Sequence, residues 1–453
     1  MLEQHTFSIP LFLVCVFCSA VAYGQDAGVV VDTVRCTADQ RQSYALYLPG
    51  NYSSSNPPGL ILIFEPAARG KLPVMLYKEL ADKYNVILAC SNNSRNGPVQ
   101  ESLIAGEAVL KDVFSKFAVD RKFILTSGFS GGGRTAVQVV AGNKLFAGVI
   151  TCGAALPSGD AITVSKQAAF AEVIGRVDMN YQEALTADEY LTRLKDPHTL
   201  IMFNGGHQWP PVDAFEDALV WHYLRVRNAD EIARENFASR FAKAVVQLDS
   251  GRLYEAHRML SQLRADFNDA MLVARTDSAI QVVEANKRLR PAQKDALRTD
   301  ERERSAQRDV TAQYNQSVAY SAPDSAFHPG YWKAFRKSCD KLVASDDHYK
   351  QQSGKRLIDF AWRLCAEQHF IYMDYDQFRQ AAMAARIWSL ILPERAGPCV
   401  AAAKAFSLQQ RKNDMLEYLS LAIERGLKDK ESVKNDPAFA RYASDPAFLK
   451  LFQ

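Results

Sequence analysis

Neither sign of charge is in excess: 54 Lys and Arg stand against 51 Asp and Glu, a formal net charge of +3. No concentrated basic patch with interleaved aromatic residues occurs, so nucleic acid is not an expected partner. Cysteine is sparse, eight in 453 residues. Cys15 and Cys18 lie in an N-terminal apolar run; Cys36, Cys90, Cys152, Cys339, Cys365 and Cys399 are spread too widely for a disulfide framework and lack metal-site spacing. Cys339 and Cys365 fall on successive predicted helices, where they either pair in an oxidising compartment or stay buried thiols. The one long apolar run, IPLFLVCVFCSAVA, is short for a bilayer span. The 48% hydrophobic content suffices for a substantial core, and the length suggests two or three domains.

That apolar run leads into AYG and then polar QDAG, the pattern of a secretory signal over residues 1–24 with Gln25 first in the mature chain. Its leading MLEQHTFS has no Lys or Arg, and the alternative is an uncleaved membrane anchor. Export, periplasmic or secreted, is the expectation, with no membrane contact beyond this segment.

Residues 25–228 read as one α/β domain. GVVVDTVRC and QSYALYLPG suggest two strands joined by a polar turn, and LILIF and NVILAC are short continuous apolar runs suited to strands buried on both faces. LPVMLYKELADKY and ESLIAGEAVLKDVFSKF have helical spacing; FILTS, GVITC, FAEVI and TLIMF follow, each separated by helical or polar stretches. An antiparallel start followed by β-α units predicts a mixed, mostly parallel sheet with helices on both faces. Residues 229–453 read as helix after helix. LDSGRLYEAHRMLSQL and the stretch from Asp374 to Gly426 carry the Gly, aromatic and Ala placement of tetratricopeptide-like repeats; a plain irregular bundle is the alternative. The mixed-charge run at 287–309 reads as a solvated helix or linker.

The chemistry concentrates at strand ends. GFSGGGRTA places Ser130 between a predicted strand and helix, where Gly128 and Gly132 permit a tight turn that lifts the hydroxyl clear of the sheet. The Gly131 N–H, at the helix start, would face a developing oxyanion. GRVDMNY puts Asp178 past the next strand but one, and NGGHQWP puts His207 past the last. In a mostly parallel sheet these ends share one edge, so a hydroxyl, a base and an orienting carboxylate converge. Asp188 and Glu189 are alternative acids within a helical stretch, and His222 reads as a packed helical residue.

VDRKFILTSGFSGGGRTA, GRVDMNY and GGHQWP together resemble the α/β-hydrolase superfamily, and within it the secreted esterases of polyhydroxybutyrate depolymerase, feruloyl esterase and dienelactone hydrolase type. The resemblance spans roughly residues 28–227. It implies hydrolysis of a carboxylic ester through an acyl-enzyme, with Ser130 as nucleophile, Asp178 as acid and His207 as base, and no cofactor or metal. A small or polysaccharide-linked ester is the expected substrate, and the short connections around the site suggest an open one. The helical domain then offers a surface for a protein partner. A serine peptidase, or a silent hydrolase fold whose helices bind a partner, are the alternatives.

The chain departs from that group after the third strand, where LILIF runs into EPAARG. Pro66 has no N–H, so the second oxyanion donor falls to Ala67, Ala68 or a neighbour, with Glu65 close by. Arg69, the loop SNNSRNGP with Asn92, Asn93 and Arg95, and Trp209 are the expected substrate-binding residues.

Overall fold

The computed structural model describes residues 25–141, 143–156, 168–320 and 327–453; the expected signal segment lies outside the described residues. Eight strands form one sheet in the order β1-β2-β4-β3-β5-β6-β7-β8. They are β1 (Val30–Arg35), β2 (Ser43–Tyr47), β3 (Gly59–Phe64), β4 (Val86–Ser91), β5 (Ile124–Phe129), β6 (Gly148–Cys152), β7 (Ala169–Gly175) and β8 (His198–Phe203). β2 runs antiparallel to both β1 and β4, and all other pairings are parallel. This is the mixed sheet expected from the sequence, and its strand order is that of the α/β-hydrolase fold.

The central strands are continuous apolar runs because both of their faces are covered. All six residues of β3 are buried. Ile61 and Ile63 face a core shared with α1 (Lys71–Tyr84) and α5 (Val212–Val226); Leu60, Leu62 and Phe64 face the opposite core with α2 (Val99–Lys116), α3 (Gly131–Val140) and α4 (Tyr181–Leu194). This alternation is the period of two that a strand imposes. The parallel strands β3 to β8 direct their C-terminal ends to one edge, and the residues of interest sit there.

From Asp230 onward every described element is helical: α6 (Asp230–Asp249), α7 (Leu253–Asp266), α8 (Ala270–Glu284), α9 (Leu289–Val318), α10 (Pro329–Val343), α11 (His348–Asp374), α12 (Phe378–Ile391), α13 (Gly397–Leu408) and α14 (Lys412–Glu424) lead to short terminal helices. The two repeat-like stretches fold as helical hairpins, with Ala381, Ala385, Ala402 and Ala405 buried where α12 meets α13 and α14. Between them α9 spans 30 residues and α11 spans 27, so a regular 34-residue period of paired short helices is not sustained. The six described cysteines are all free and buried, so Cys339 and Cys365 remain thiols.

The mixed-charge run 287–309 corrects its sequence reading. From Leu289 it belongs to α9, and Asp300 and Glu303 on that helix are only 1% exposed, because Glu303 faces Arg356 of α11 and Asp300 faces Tyr349 of α11 and Gln182 of α4. Among the described residues no helix is long and apolar enough to cross a membrane.

Candidate functional site

Ser130 occupies the turn between β5 and α3 with φ 52° and ψ −123°, a left-handed conformation that an L-residue adopts at a cost of about 1–3 kcal/mol. Two glycines make the turn sterically feasible. A Cβ on Gly128 would fall 2.3 Å from the Gly132 carbonyl oxygen, and one on Gly132 would fall 2.2 Å from that of Phe64. The backbone is pinned by the Ser130 N–H donating to the Cys152 carbonyl at 2.9 Å. Gly131 opens α3, so its N–H lacks an intrahelical acceptor and is free for an anion.

Asp178 lies in the turn after β7 and His207 in the turn after β8, and the sheet edge brings both to the serine. His207 Nε2 is 2.9 Å from Ser130 Oγ, while His207 Nδ1 is 2.9 and 3.0 Å from the two Asp178 oxygens. An ionised carboxylate only accepts, so Nδ1 carries the proton and Nε2 is left to accept from the serine hydroxyl. Asp178 is fully buried and takes the Asn180 N–H at 2.8 Å on Oδ1. The Asn180 side chain in turn donates to the Gly153 carbonyl at 2.7 Å, tying the acid turn to the end of β6. Phe129 lies under the imidazole with ring centroids 4.6 Å apart. These supporting residues were not singled out from sequence; the D-x-N spacing in GRVDMNY was the one available signal, an Asx turn around Asp178.

The alternative acids Asp188 and Glu189 both line a cavity whose walls include none of Ser130, Asp178 and His207, and His222 is the packed helical residue expected. Asp188 pairs with His198 at 3.3 Å, off the site. His222 is buried with Nε2 3.1 Å from the Val149 carbonyl, and burial pushes its pKa down to about 3.

The rim differs from expectation in several places. Glu65 is fully buried and turns back on its own loop: it accepts from the N–H groups of Ala67 at 2.7 Å and Arg69 at 3.0 Å, and pairs with the Arg69 guanidinium through Nε at 3.1 Å. The Ala68 N–H goes to the Glu65 carbonyl at 3.2 Å. Ala67 therefore has no uncommitted donor for an oxyanion, and Arg69 is committed to Glu65 rather than to a substrate. Asn92 donates to the Asp32 carbonyl at 2.9 Å; Asn93 accepts from the Ser43 N–H at 2.9 Å and donates to the Arg41 carbonyl at 3.0 Å. Both brace the β1-β2 edge. Arg95 is exposed. Trp209, 8% exposed, packs between Tyr77 and Phe129 as part of the core beneath His207, not as an open substrate wall. The third asparagine of SNNSRNGP, Asn96, is the one beside Gly131: its Oδ1 would be 1.9 Å from a Cβ placed there.

The helical half reaches the acid turn. Arg356 on α11, with no exposed surface, donates through Nη1 to the Arg176 carbonyl at 2.8 Å and holds Glu303 of α9 through Nε and Nη2 at 2.7 and 2.6 Å. Gln307 donates to the Met179 carbonyl at 3.4 Å, and Tyr349 donates to Asp300, which also accepts from Gln182 at 2.9 Å. One turn along α11, Asp359 has its pKa raised by burial, with Arg363 opposing that rise and the nearby Asp178 carboxylate adding to it. A large cavity of about 1480 Å³ opens between β8, α4 and the helices α6 and α7, but its walls include none of Ser130, Asp178 and His207.

No family model and no curated protein matches the chain. Among solved structures, an S-formylglutathione hydrolase from Staphylococcus aureus is similar at 15% identity over 44% of this chain and 98% of its own, with a TM-score of 0.37. Esterase 2 of Thermogutta terrifontis is similar at 13% identity over 44% of this chain and 92% of its own, with a TM-score of 0.35. A thermostable esterase is similar at 13% identity and a TM-score of 0.35, the match spanning 43% of this chain and 62% of that esterase. Likenesses at this level fix no activity.

Proposed function

We propose that this chain is a serine hydrolase that cleaves carboxylic esters, small or polysaccharide-linked, through an acyl-enzyme. The observation that carries the reading is the unbroken hydrogen-bonded line from Ser130 Oγ through both ring nitrogens of His207 to buried Asp178. Ser130 Oγ attacks the ester carbonyl as His207 Nε2 takes the hydroxyl proton. A C–O bond forms and the carbonyl π pair moves onto oxygen, facing the Gly131 N–H. Collapse expels the alcohol, which takes the proton back from His207. Water then repeats the sequence, releasing the acid and restoring Ser130. Asp178 holds the imidazole tautomer and stabilises the imidazolium.

No cofactor enters these steps. Export rests on the N-terminal pattern and is checked by sequencing the N-terminus of the mature protein, expected at Gln25. The test of the enzyme reading is labelling by a fluorophosphonate with mapping of the modified residue, together with turnover of short p-nitrophenyl esters. A label on Ser130 and turnover lost in Ser130→Ala are expected; an unlabelled, inert wild-type protein rejects the reading. A peptide substrate panel separates esterase from peptidase.

A further inference from the structure

An oxyanion formed at Ser130 needs more than one donor to be held well, and the Gly131 N–H supplies one. In an ordinary arrangement the loop after β3 supplies the other from its main chain. Here that source is spent. Pro66 has no N–H, the Ala67 and Arg69 N–H groups donate to the Glu65 carboxylate, and the Ala68 N–H donates to the Glu65 carbonyl.

A side-chain amide stands against Gly131, the residue whose N–H is the first donor. Asn96 lies across the start of α3, so close that a Cβ on Gly131 would be 1.9 Å from its Oδ1 and 3.0 Å from its Cγ. This explains the glycine at 131, which the turn itself does not require: Gly131 has no positive φ, unlike Ser130 before it. The backbone carrying Asn96 is fixed. Its N–H donates to the Pro66 carbonyl at 2.8 Å, Ala67 and Arg95 form an antiparallel bridge, and Ser94 and Arg95 are both tied to Ser102. The Asn96 side chain, by contrast, makes no hydrogen bond with any described residue. An amide rotates by half a turn at little cost, which brings Nδ2 to the position of Oδ1.

Resting on the reading of Ser130 as nucleophile, we infer that the Asn96 side-chain amide is the second oxyanion donor, in place of a main-chain N–H from the β3 loop. As the carbonyl π pair moves onto oxygen during attack by Ser130 Oγ, Nδ2–H and the Gly131 N–H donate to it together. Both bonds are released when the tetrahedral carbon collapses and the alcohol leaves.

The experiment compares Asn96→Ala, Gly131→Ala and the double variant on p-nitrophenyl esters, with thermal melts as the control for folding. Asn96→Ala is expected to lower kcat by about 100-fold or more with little change in KM, the size found for loss of one such donor. Gly131→Ala suits a helix start, and its new methyl comes closest to the Asn96 amide, so it is expected to reproduce the same loss by displacing that amide. The double variant should be no worse than either single, because both remove one bond. Slower but still Ser130-directed fluorophosphonate labelling accompanies all three. A folded Asn96→Ala protein that keeps kcat within twofold, while wild type labels at Ser130, overturns the inference and leaves the hydrolase reading standing. A wild-type protein that does not label overturns both.

Discussion

Arg356 and Arg176 meet across the boundary between the two halves of the chain: the Arg356 guanidinium, 53 residues beyond its partner Glu303, donates to the Arg176 carbonyl two positions before Asp178. A helix of the C-terminal half therefore fixes the backbone of the acid turn. Removing Arg356 leaves Glu303 charged and buried without its partner, and breaking such a pair costs about 3–5 kcal/mol. Arg356→Ala is expected to show that loss in denaturant unfolding. Gln307→Ala removes a longer contact at the Met179 carbonyl and is expected to fold. Counted per active site titrated with a fluorophosphonate, its kcat should fall severalfold while KM stays near wild type. Equal kcat per site would reject a role for the clamp in setting Asp178.

A chain ending at residue 228 tests the same coupling from the other side. It uncovers Tyr181, 1% exposed and stacked beneath Arg356 with the guanidinium carbon 4.1 Å from its ring centroid, and Arg176, 6% exposed. It also leaves Gln182 without Asp300 and Arg304, which bond it at 2.9 and 3.1 Å. The truncated protein is expected to aggregate, or to remain soluble with esterase turnover reduced by at least 10-fold. Full activity from residues 25–228 would make the helical half a separate module.

Within the line of three, Asp178→Asn keeps size and burial but no longer forces the Nδ1–H tautomer of His207. A loss of roughly 10,000-fold in kcat is expected, as in the serine protease template, with binding preserved. Ser130→Ala and His207→Ala should each remove about as much activity as their combination, since the residues act as a unit. Turnover of p-nitrophenyl esters by the single and double variants checks this. Independent, additive losses would argue against a shared proton path.

The sheet and this line were legible in the sequence for one reason: strands buried on both faces are short apolar runs, and a parallel sheet gathers their ends. Ser130, Asp178 and His207 each follow such a run, so their strand ends put them on one edge. What stayed hidden depends on direction rather than on residue type. Asn92, Asn93 and Asn96 sit within five residues, yet two face the β1-β2 edge and one faces Gly131. Ala67 is misjudged for the same reason, because its N–H points to Glu65. Asp300, Glu303 and Arg304 read as solvated charges since their partners, Tyr349, Arg356 and Gln182, are distant in sequence. Helical periodicity cannot show a polar face that is buried against other polar groups.

Stability should carry the mark of one further buried group. Glu172 on β7 is 2% exposed, and neither its Oε1 nor the Thr151 hydroxyl beside it in the sheet register has a hydrogen-bond partner among the described residues. Burial raises the Glu172 pKa well above its ordinary 4.5; Glu183, Asp188 and Asp178 add to the rise, and Arg134 opposes it. In the unfolded chain the carboxyl loses its proton near the ordinary value, whereas the native state holds it to higher pH. Stability therefore falls as pH climbs from about 4.5 toward the raised native value, because the unfolded state alone gains from ionising. Glu172→Gln keeps the shape and removes that titration. Its melting temperature should exceed that of wild type at pH 8, and the advantage should shrink toward zero as pH drops to 4, where both states of the wild-type residue are protonated. A constant difference across that range would mean that Glu172 does not titrate between the folded and unfolded states.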